Sequence, residues 1–397
     1  LAFCIVGDKG VGKTILTRAV LRKAREEFSD RALFIDVDCR SYRSARQVID
    51  AIAKETVEAL YDMKGVQSVP DELVATAQIL AAITRFDDAE LKDIHQHLEQ
   101  FKAAASLAGD QALLKALKMS FQISVERSTK LTRELSGKVR FDEPRLIDAL
   151  AALFKDIRAS DLDVVLYIDN MDELRHHYRT DEERQRVRRD TEALLALRDA
   201  PIILVLNMRT YYSGILPREI ANRRVLRRLP QSEHLAILRE RVKGESHTVK
   251  QRLEDPVVQQ ALSRLATVAP TPLAFLTWFK ALFDQDALSG VALPDGIKGF
   301  LETYYSTAPE ETWRKVVDAF DDPEGCITRE ALLSACGGNE ALFNQVVDRQ
   351  GVLPKDFWDP TTYYTLDPEL FLLHPKRSPL GAAPAGTPAA PPTPAQA

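Results

Sequence analysis

The sequence has little cysteine, and its four cysteines are scattered: Cys4, Cys39, Cys326 and Cys336. None of them has the spacing of a metal-binding cysteine pair. The pattern indicates free thiols in a reducing compartment, which argues against a disulfide-stapled secreted fold. No apolar run approaches the roughly 20 residues that cross a bilayer, and no signal peptide is recognisable, so we expect a cytoplasmic protein with no membrane partner.

The sequence also lacks a strong excess of charge of either sign. It has 53 Lys and Arg against 58 Asp and Glu, a net charge of −5, and an isoelectric point near 5.9. Such a balance gives no global reason to expect nucleic acid or a membrane surface as a partner. With 45% hydrophobic and 28% charged residues over 397 positions, the chain is typical of a globular protein with about two to four structural units.

The first feature that is present is a glycine-rich loop between two structured segments. Residues 1–6 form an uncharged apolar run that predicts a buried strand, and residues after 14 show the apolar spacing of a helix. Between them, GDKGVGKT matches the phosphate-loop pattern G-x-x-x-x-G-K-[ST] at every fixed position. The predicted nucleotide-binding residues are Gly7, Asp8, Lys9, Gly10, Val11, Gly12, Lys13 and Thr14, together with Ile15.

The residue types in this loop suit phosphate chemistry. Glycines let backbone N–H groups converge on phosphate oxygens, and the following helix turns its positive N-terminal end towards them. Lys13 is predicted to reach the β- and γ-phosphates, and the Thr14 hydroxyl to bind Mg²⁺. The sequence therefore predicts a site for a nucleoside triphosphate, with ATP or ADP and Mg²⁺ as its ligands.

Further apolar runs alternate with helical patterns along the chain. Residues 32–40, 163–170 and 201–209 are predicted strands, and the order of strands and helices predicts an α/β fold with a parallel sheet. We divide the chain into a P-loop NTPase core at 1–229 with a helical insertion at about 61–140, a helical lid at 230–307, a winged-helix domain at 308–375, and a disordered Pro/Ala-rich tail at 376–397.

The run VVLYIDNMDEL supplies a second set of catalytic candidates. Four apolar residues ending in an acid are typical of a Walker B strand, and Asp169 would hold Mg²⁺ at its end, directly or through water. Asp172 and Glu173 follow closely, and either could orient the water that attacks the γ-phosphate. We favour Asp172 as the base, with Glu173 as the alternative.

The strand PIILVLNMR ends in two polar residues, Asn207 and Arg209. A strand of the same sheet would deliver both to the γ-phosphate, where they could report whether it is present. The alternative is that Arg209 is a surface cation at the end of a strand.

Taken together, these motifs resemble the STAND branch of AAA-like P-loop ATPases, which includes the NACHT and NB-ARC switch proteins and is close to origin-recognition initiators. YIDNMDEL resembles the NACHT motif D-G-x-D-E-L, although Asn170 stands where the family has a small residue. ILVLNMRT resembles the family's sensor strand, which implies that Arg209 contacts the γ-phosphate. VAPTPLAFL resembles the NB-ARC motif G-x-P-L-A-L, with Pro270 in place of its glycine, which implies that Pro272 packs beside the adenine.

The resemblance covers about residues 1–285 and carries two further expectations. Family members have a segment before the first strand that contacts adenine, so we expect that a corresponding N-terminal segment is missing from this sequence. In AAA-like rings an arginine after the sensor strand reaches the neighbouring subunit's γ-phosphate. Arg223 and Arg224 are the candidates for that role, and a solvated charged surface is the alternative.

Charge argues against the usual role of the predicted winged helix. Its acidic residues outnumber its basic ones, and neutralisation of phosphates supplies much of the affinity for DNA. We therefore expect an ATPase that acts as a nucleotide-dependent conformational or oligomerisation switch, with self-association as the expected partnership. The alternative is a DNA-associated AAA-like ATPase of the initiator or loader type; a small-molecule kinase fits poorly, because no compact substrate site accompanies the loop.

Overall fold

The structure is a computed structural model of the chain. It describes residues 1–64, 69–84, 89–90, 138–139, 143–177, 181–217, 220, 222–227, 229–269, 271–284, 309–320, 325–348, 351–359, 363–367 and 370. Most of the predicted helical insertion at 61–140, and the whole of the predicted tail at 376–397, lie outside the described residues. None of the helices in these ranges is long and apolar enough to cross a membrane.

The described secondary structure consists of strands and helices in the following order along the chain. The strands are β1 (Ala2–Gly7), β2 (Ala32–Asp38), β3 (Ala89–Glu90), β4 (Lys138–Val139), β5 (Asp163–Asp169), β6 (Ile203–Met208), β7 (Asn222–Leu226), β8 (Cys326–Ile327), β9 (Val352–Pro354) and β10 (Tyr364–Leu366). The α-helices are α1 (Lys13–Phe28), α2 (Ala45–Lys64), α3 (Asp71–Ile83), α4 (Glu143–Ala159), α5 (Asp181–Leu195), α6 (Gln231–Arg241), α7 (His247–Leu253), α8 (Pro256–Val268), α9 (Pro272–Asp284), α10 (Glu310–Asp318), α11 (Arg329–Ala335) and α12 (Glu340–Asp348).

The described residues fall into two compact units. The first draws on Leu1–Gly7 and Lys13–Leu226, and the second on Asp8–Gly12 and Arg227–Ala397. The loop residues Asp8–Gly12, between β1 and α1, are thus grouped with the second unit.

The first unit is built on a five-stranded sheet in the order β2-β5-β6-β1-β7. Every pair of neighbours in it is parallel. The interior strand β5 is buried at each position from Val164 to Asp169, which explains its apolar sequence. The predicted α/β fold with a parallel sheet and a phosphate loop after the first strand is confirmed, and the carboxyl ends of the strands share one edge.

Strand β7 was not predicted from the sequence. Its residues from Asn222 to Val225 are exposed, and it pairs only with β1 among the described strands. An exposed strand at the edge of a sheet carries little apolar signal, so the segment reads as a charged loop when the sequence is taken alone.

A groove of about 660 Å³ lies between helix α1 and one face of the same sheet. Apolar side chains line most of it, including Phe3, Ile5, Leu16, Val20 and Val205. Leu16 is 44% and Val20 58% exposed. This groove lies on the α1 side of the sheet.

The second unit contains helices α6–α9, followed by α10, β8, α11, α12, β9 and β10. The last three strands form an antiparallel sheet in the order β8-β10-β9. One apolar cluster runs through both parts of this unit, and its buried aromatic side chains include Phe275, Trp278, Trp313 and Phe320. Burial of such aromatic side chains contributes much of the stability of a small unit.

Candidate nucleotide-binding site

The backbone of the loop after β1 explains its glycines. Gly10 and Gly12 have φ of +80° and +96°, in the left-handed region that favours glycine. At Gly10 space is also short, because a Cβ atom there would lie 2.7 Å from Thr271 Oγ1 and 2.7 Å from Leu273 Cβ. The backbone of the loop is therefore held in a form that side chains at these two positions would disturb.

Lys13 and Thr14 begin helix α1 immediately after the loop. The Lys13 side chain is buried, and its Nζ donates a 2.8 Å hydrogen bond to the carbonyl of Gly7, the last residue of β1. Thr14 Oγ1 donates to Asp169 Oδ1 at 3.2 Å. The predicted phosphate-binding lysine, the predicted Mg²⁺-binding hydroxyl and the predicted Walker B carboxylate are thus together. Among the other predicted loop residues, Val11 is buried and Asp8, Lys9 and Ile15 are exposed.

Asp169 is the last residue of β5 and is fully buried. Its Oδ1 accepts hydrogen bonds from Thr14, from Asn207 Nδ2 at 3.2 Å, and from the backbone N–H of Asn170 at 3.0 Å. Its Oδ2 has no hydrogen-bond partner in the described part of the chain. A buried carboxylate oxygen without a hydrogen-bond donor, beside a threonine hydroxyl, is a suitable ligand for a hard cation such as Mg²⁺.

The same described ranges hold no cluster of three or more His, Cys, Asp or Glu side chains that could bind a metal alone. Mg²⁺ in nucleotide sites is usually held by one or two protein oxygens, and the phosphates supply the rest. The donor set of Thr14 and Asp169 therefore fits Mg²⁺ that arrives with a nucleotide.

Asn170 occupies the position where the resembled motif has a small residue, and its backbone explains that preference. Its φ is +55°, a left-handed conformation that glycine adopts freely and asparagine tolerates better than most residues. The Asn170 side chain donates a 3.0 Å hydrogen bond to Asp38 Oδ1, at the end of the neighbouring strand β2. Burial acts to raise the pKa of Asp38, but hydrogen bonds from Arg40 and Asn170 hold that pKa below its ordinary value.

Arg209 lies just beyond β6 and holds both candidate bases. Its Nε is 3.0 Å from Asp172 Oδ2, and its Nη2 is 2.5 Å from Glu173 Oε1. The Arg209 backbone N–H also donates to Asp172 Oδ1 at 2.9 Å, and Tyr211 Oη donates to Asp172 Oδ2 at 3.4 Å. The Arg209 side chain is only 9% exposed, so it is a buried partner of two carboxylates and the alternative of a surface cation does not describe it.

The register of the sheet places these groups near the phosphate loop. Strand β6 pairs with β1 as far as Met208 opposite Val6, so Arg209 follows at the edge where Gly7 begins the loop. In the same way Asp169 pairs with Asp38 across β5 and β2. The sheet thus collects cations and carboxylates from separate parts of the sequence at one edge.

The carboxylates at this edge shift the pKa values of neighbouring groups. Burial, followed by the negative charges of Asp38 and Asp172, raises the pKa of the Cys39 thiol well above its ordinary value. Burial, followed by the negative charge of Asp169, raises the pKa of Tyr167. Both groups stay protonated, because burial penalises their charged forms and the neighbouring carboxylates add to that effect.

Sequence reasoning missed two members of the site, Tyr167 and Thr17. Asn207 Nδ2 donates to Tyr167 Oη at 2.7 Å, and Thr17 Oγ1 lies 3.2 Å from Asn207 Oδ1. Tyr167 could have been suspected as a polar residue in an apolar strand, and Thr17 because it stands one turn after Lys13. Asn207 itself was singled out, and it is fully buried beneath α1.

The three remaining candidates are Pro272, Arg223 and Arg224. Pro272 is buried and is the first residue of helix α9, a position that suits proline because no intrahelical N–H is needed there. Arg223 and Arg224 are exposed on β7. Arg223 Nη2 donates to Ser213 Oγ at 2.7 Å, which anchors that side chain within its own unit.

The sequence matches the model of one protein family. A family model described as an AAA ATPase domain matches residues 1–205, which is just over half of the chain. No curated protein sequence matches this chain.

Several solved structures are similar to it at low identity. The Aeropyrum pernix ORC1 protein, solved in complex with DNA, has 12% identity and a TM-score of 0.44, with 92% of this chain and 83% of that chain covered. Cdc6p from Pyrobaculum aerophilum has 13% identity and a TM-score of 0.36, with 94% and 85% covered. The Aeropyrum pernix ORC2 protein in its ADPNP–ADP complexes has 12% identity and a TM-score of 0.39, with 94% and 86% covered.

Proposed function

Because the chain belongs to the family of AAA ATPase domains, we propose that it binds ATP with Mg²⁺ and acts as a nucleotide-dependent conformational switch that hydrolyses ATP slowly. Lys13 and the loop backbone would hold the phosphates, and Thr14 and Asp169 would hold the cation. Mg²⁺ held there offsets the charge of the phosphate oxygens. These roles rest on the shared edge of the sheet at which the side chains meet.

One observation carries the switch proposal, namely the buried contact of Arg209 with Asp172 and Glu173. A guanidinium at this edge has two kinds of acceptor within one site, the two carboxylates and the γ-phosphate of ATP. When ADP is bound there is no γ-phosphate, so only the two carboxylates remain as acceptors. A ligand shifts a conformational equilibrium only through contacts that differ between the two states, and Arg209 provides such a contact.

The switch then works through an exchange of partners by Arg209. When ATP is bound, Arg209 leaves Glu173 for the γ-phosphate, and Glu173 becomes available to orient water. When ADP is bound, Arg209 returns to both carboxylates and ties the segment after β5 to the end of β6. The elements that move are thus the short segments Met171–His177 and Thr210–Ile215, which follow those two strands.

A titration of both nucleotides against an Arg209 variant tests this proposal. Removing the arginine outright leaves Asp172 as a buried charge without its partner, which is strongly destabilising, so Arg209→Gln combined with Asp172→Asn is the sharper variant. A charge-assisted hydrogen bond contributes about 1.5–3 kcal/mol, so we expect this variant to bind ATP about 10- to 150-fold more weakly, with a much smaller change for ADP.

Two comparisons make the result decisive. Lys13→Ala should weaken both nucleotides, since Lys13 is predicted to reach the β- as well as the γ-phosphate. Asp172→Asn alone controls for the second substitution. Equal losses of ATP and ADP in the Arg209 variant, measured by calorimetry in the presence of Mg²⁺, would count against Arg209 as the residue that distinguishes them.

The C-terminal part of the second unit supports the further proposal of a winged helix. Its element order is helix, strand, helix, helix, strand, strand, from α10 to β10, and its three strands form one antiparallel sheet. Exposed acidic side chains such as Glu311, Glu330 and Glu340 lie on its helices. We propose that it serves contacts between proteins, because it lacks the excess of cations that DNA binding needs.

A second candidate function is a DNA-associated ATPase of the initiator type. The observation that favours it is the exposed basic segment formed by Arg223, Arg224 and Arg227 on and beside β7. A strip of exposed arginines attracts phosphate, either of nucleic acid or of a nucleotide held by another copy of the chain. The two candidates differ in what this segment contacts.

A further inference from the structure

Asn207 is a fully buried amide in a strand of apolar residues. It lies inside β6, opposite Ile5 of β1, two residues before Arg209. A buried amide is costly unless its hydrogen-bonding groups are satisfied, so its partners show what it does.

All three partners of Asn207 belong to the nucleotide site. Its Nδ2 lies 3.2 Å from Asp169 Oδ1 and 2.7 Å from Tyr167 Oη, and its Oδ1 lies 3.2 Å from Thr17 Oγ1. Chemistry fixes this orientation of the amide, because an ionised carboxylate only accepts hydrogen bonds and the amide nitrogen must therefore face Asp169. Both N–H groups and the carbonyl are engaged.

The consequence appears at the two oxygens of Asp169. Oδ1 accepts from three donors, namely Asn207, Thr14 and the backbone of Asn170. Oδ2 is buried and has no hydrogen-bond partner among the residues described. The donors hold the carboxylate by one oxygen and leave the other to bind a cation.

Of these three donors, Asn207 is the one whose role in the site is not otherwise accounted for. Thr14 is itself a cation ligand in the proposed function, and the Asn170 N–H belongs to the backbone. Asn207 also reaches Thr17, whose Oγ1 lies 2.9 Å from the carbonyl of Lys13 at the start of α1. The Thr17 hydroxyl has a single proton, which Lys13 O and Asn207 Oδ1 share.

We propose that Asn207 is a positioning residue that fixes the rotation of Asp169, so that Oδ2 faces the cation, and that ties this carboxylate to the first turn of α1. This rests on the proposed binding of Mg²⁺ with a nucleotide. It differs from a role as a reporter of the γ-phosphate, because Asn207 acts through Asp169 and serves ADP and ATP alike.

Asn207→Leu tests the proposal, since leucine is close in size and lacks the donor. Mn²⁺ serves as the probe for the cation, and its binding to the whole chain with ADP is measured by electron paramagnetic resonance. Partners of metal ligands typically contribute 10- to 100-fold to metal affinity, so we expect Mn²⁺ to bind about 10- to 100-fold more weakly. ADP affinity measured in EDTA should stay within about twofold, because Asn207 does not act on the phosphates directly.

Thr191→Val is the matched control. Thr191 is fully buried in the same unit, and its hydroxyl is 2.6 Å from Tyr212 Oη, so the variant loses a buried hydrogen bond away from the cation site. It should keep the Mn²⁺ affinity of the unaltered protein. An equal loss in this control would show a general effect of weakened packing and would overturn the proposal.

The other possible results of these measurements also distinguish the role of Asn207 from the proposed function. Unchanged Mn²⁺ affinity in folded Asn207→Leu overturns the role of Asn207 and leaves the proposed function standing. If that variant does not fold, Asn207→Ala replaces it, since it also removes the amide that donates to Asp169. A loss of Mn²⁺ affinity with ADP affinity in EDTA retained supports the proposal, and no loss overturns it. Failure of the unaltered chain to bind ADP at all would overturn the proposed function and this inference with it.

Discussion

Two adjacent carboxylates after β5 have different surroundings, and the difference bears on which of them activates water. Asp172 is 1% exposed and accepts from the Arg209 backbone, the Arg209 guanidinium and Tyr211. The Glu173 side chain is 16% exposed and meets Arg209 through one oxygen. A general base must reach water, so this geometry favours Glu173, whereas the sequence alone led us to favour Asp172.

Glu173→Gln and Asp172→Asn should therefore behave differently. Glu173→Gln keeps the loop, Thr14 and Asp169, so it should bind ATP normally and lose about 10²- to 10⁴-fold in turnover. Asp172→Asn should retain more turnover and instead reduce the preference of the protein for ATP over ADP, because it loosens the hold on Arg209. Single-turnover hydrolysis and the affinities of both nucleotides, measured on each variant, give the comparison. Loss of turnover in Asp172→Asn alone would restore Asp172 as the base.

For single residues, the sequence singled out most members of the candidate site but not the contacts between them. Lys13, Thr14 and Asp169 were predictable because their chemistry requires a fixed spacing within a motif. The pairing of Arg209 with Asp172 and Glu173 was not, since it joins two strands and depends on where each chain turns after leaving the sheet. Tyr167 and Thr17 were missed because a single polar residue in an apolar element has no pattern of its own.

Among the elements, the strands that were predicted are those whose side chains are all buried or half-buried. Strands β2, β5 and β6 are apolar runs, and buried parallel strands need such runs. Strand β7 was missed because its exposed arginines follow from its place at the edge of the sheet, and only its pairing with β1 defines it as a strand. Periodicity reports burial, so an element that stays exposed gives no signal.

Helix α6 carries a buried histidine, and we expect it to make the stability of the second unit depend on pH. The His234 ring stacks on Phe275 of α9, with ring centroids 5.6 Å apart and an angle of 19° between the planes. Burial lowers the pKa of His234 below its ordinary value, because the charged ring is poorly solvated there. The neutral ring is therefore the form that the fold prefers.

The direction in which pH changes the stability follows from the protonation of His234 in the folded and unfolded chains. The unfolded chain takes up a proton at His234 near its ordinary pKa of about 6.5, whereas the folded chain does so only at lower pH. Stability is therefore complete above about pH 6.5 and falls as the pH drops below it. His234→Leu should flatten the dependence of the melting temperature on pH between about 7.5 and 5.5. An equally steep dependence in His234→Leu would show that another group is responsible.

For the whole molecule, the exposed arginines of β7 separate the two candidate functions. Arg223 is anchored to Ser213, which leaves Arg224 as the better candidate for a contact with another molecule. If the chain is a switch that self-associates, its partner presents the phosphates of a bound nucleotide, and the contact depends on ATP. If it is a DNA-associated ATPase, the partner is the duplex, and the contact depends on salt.

We expect the mass of the Glu173→Gln protein in solution to rise with ATP and not with ADP, because this variant should hold ATP without turning it over. Arg224→Glu added to it should abolish the increase, since reversing the charge replaces an attraction to phosphate by repulsion. Lys243→Glu, which reverses an exposed cation that is not part of β7, is the matched control and should leave the increase intact. Light scattering measures the mass, and duplex DNA added at several salt concentrations supplies the other arm. A constant mass with both nucleotides, together with DNA binding that weakens steeply with salt and is lost in Arg224→Glu, would favour the DNA-associated function instead.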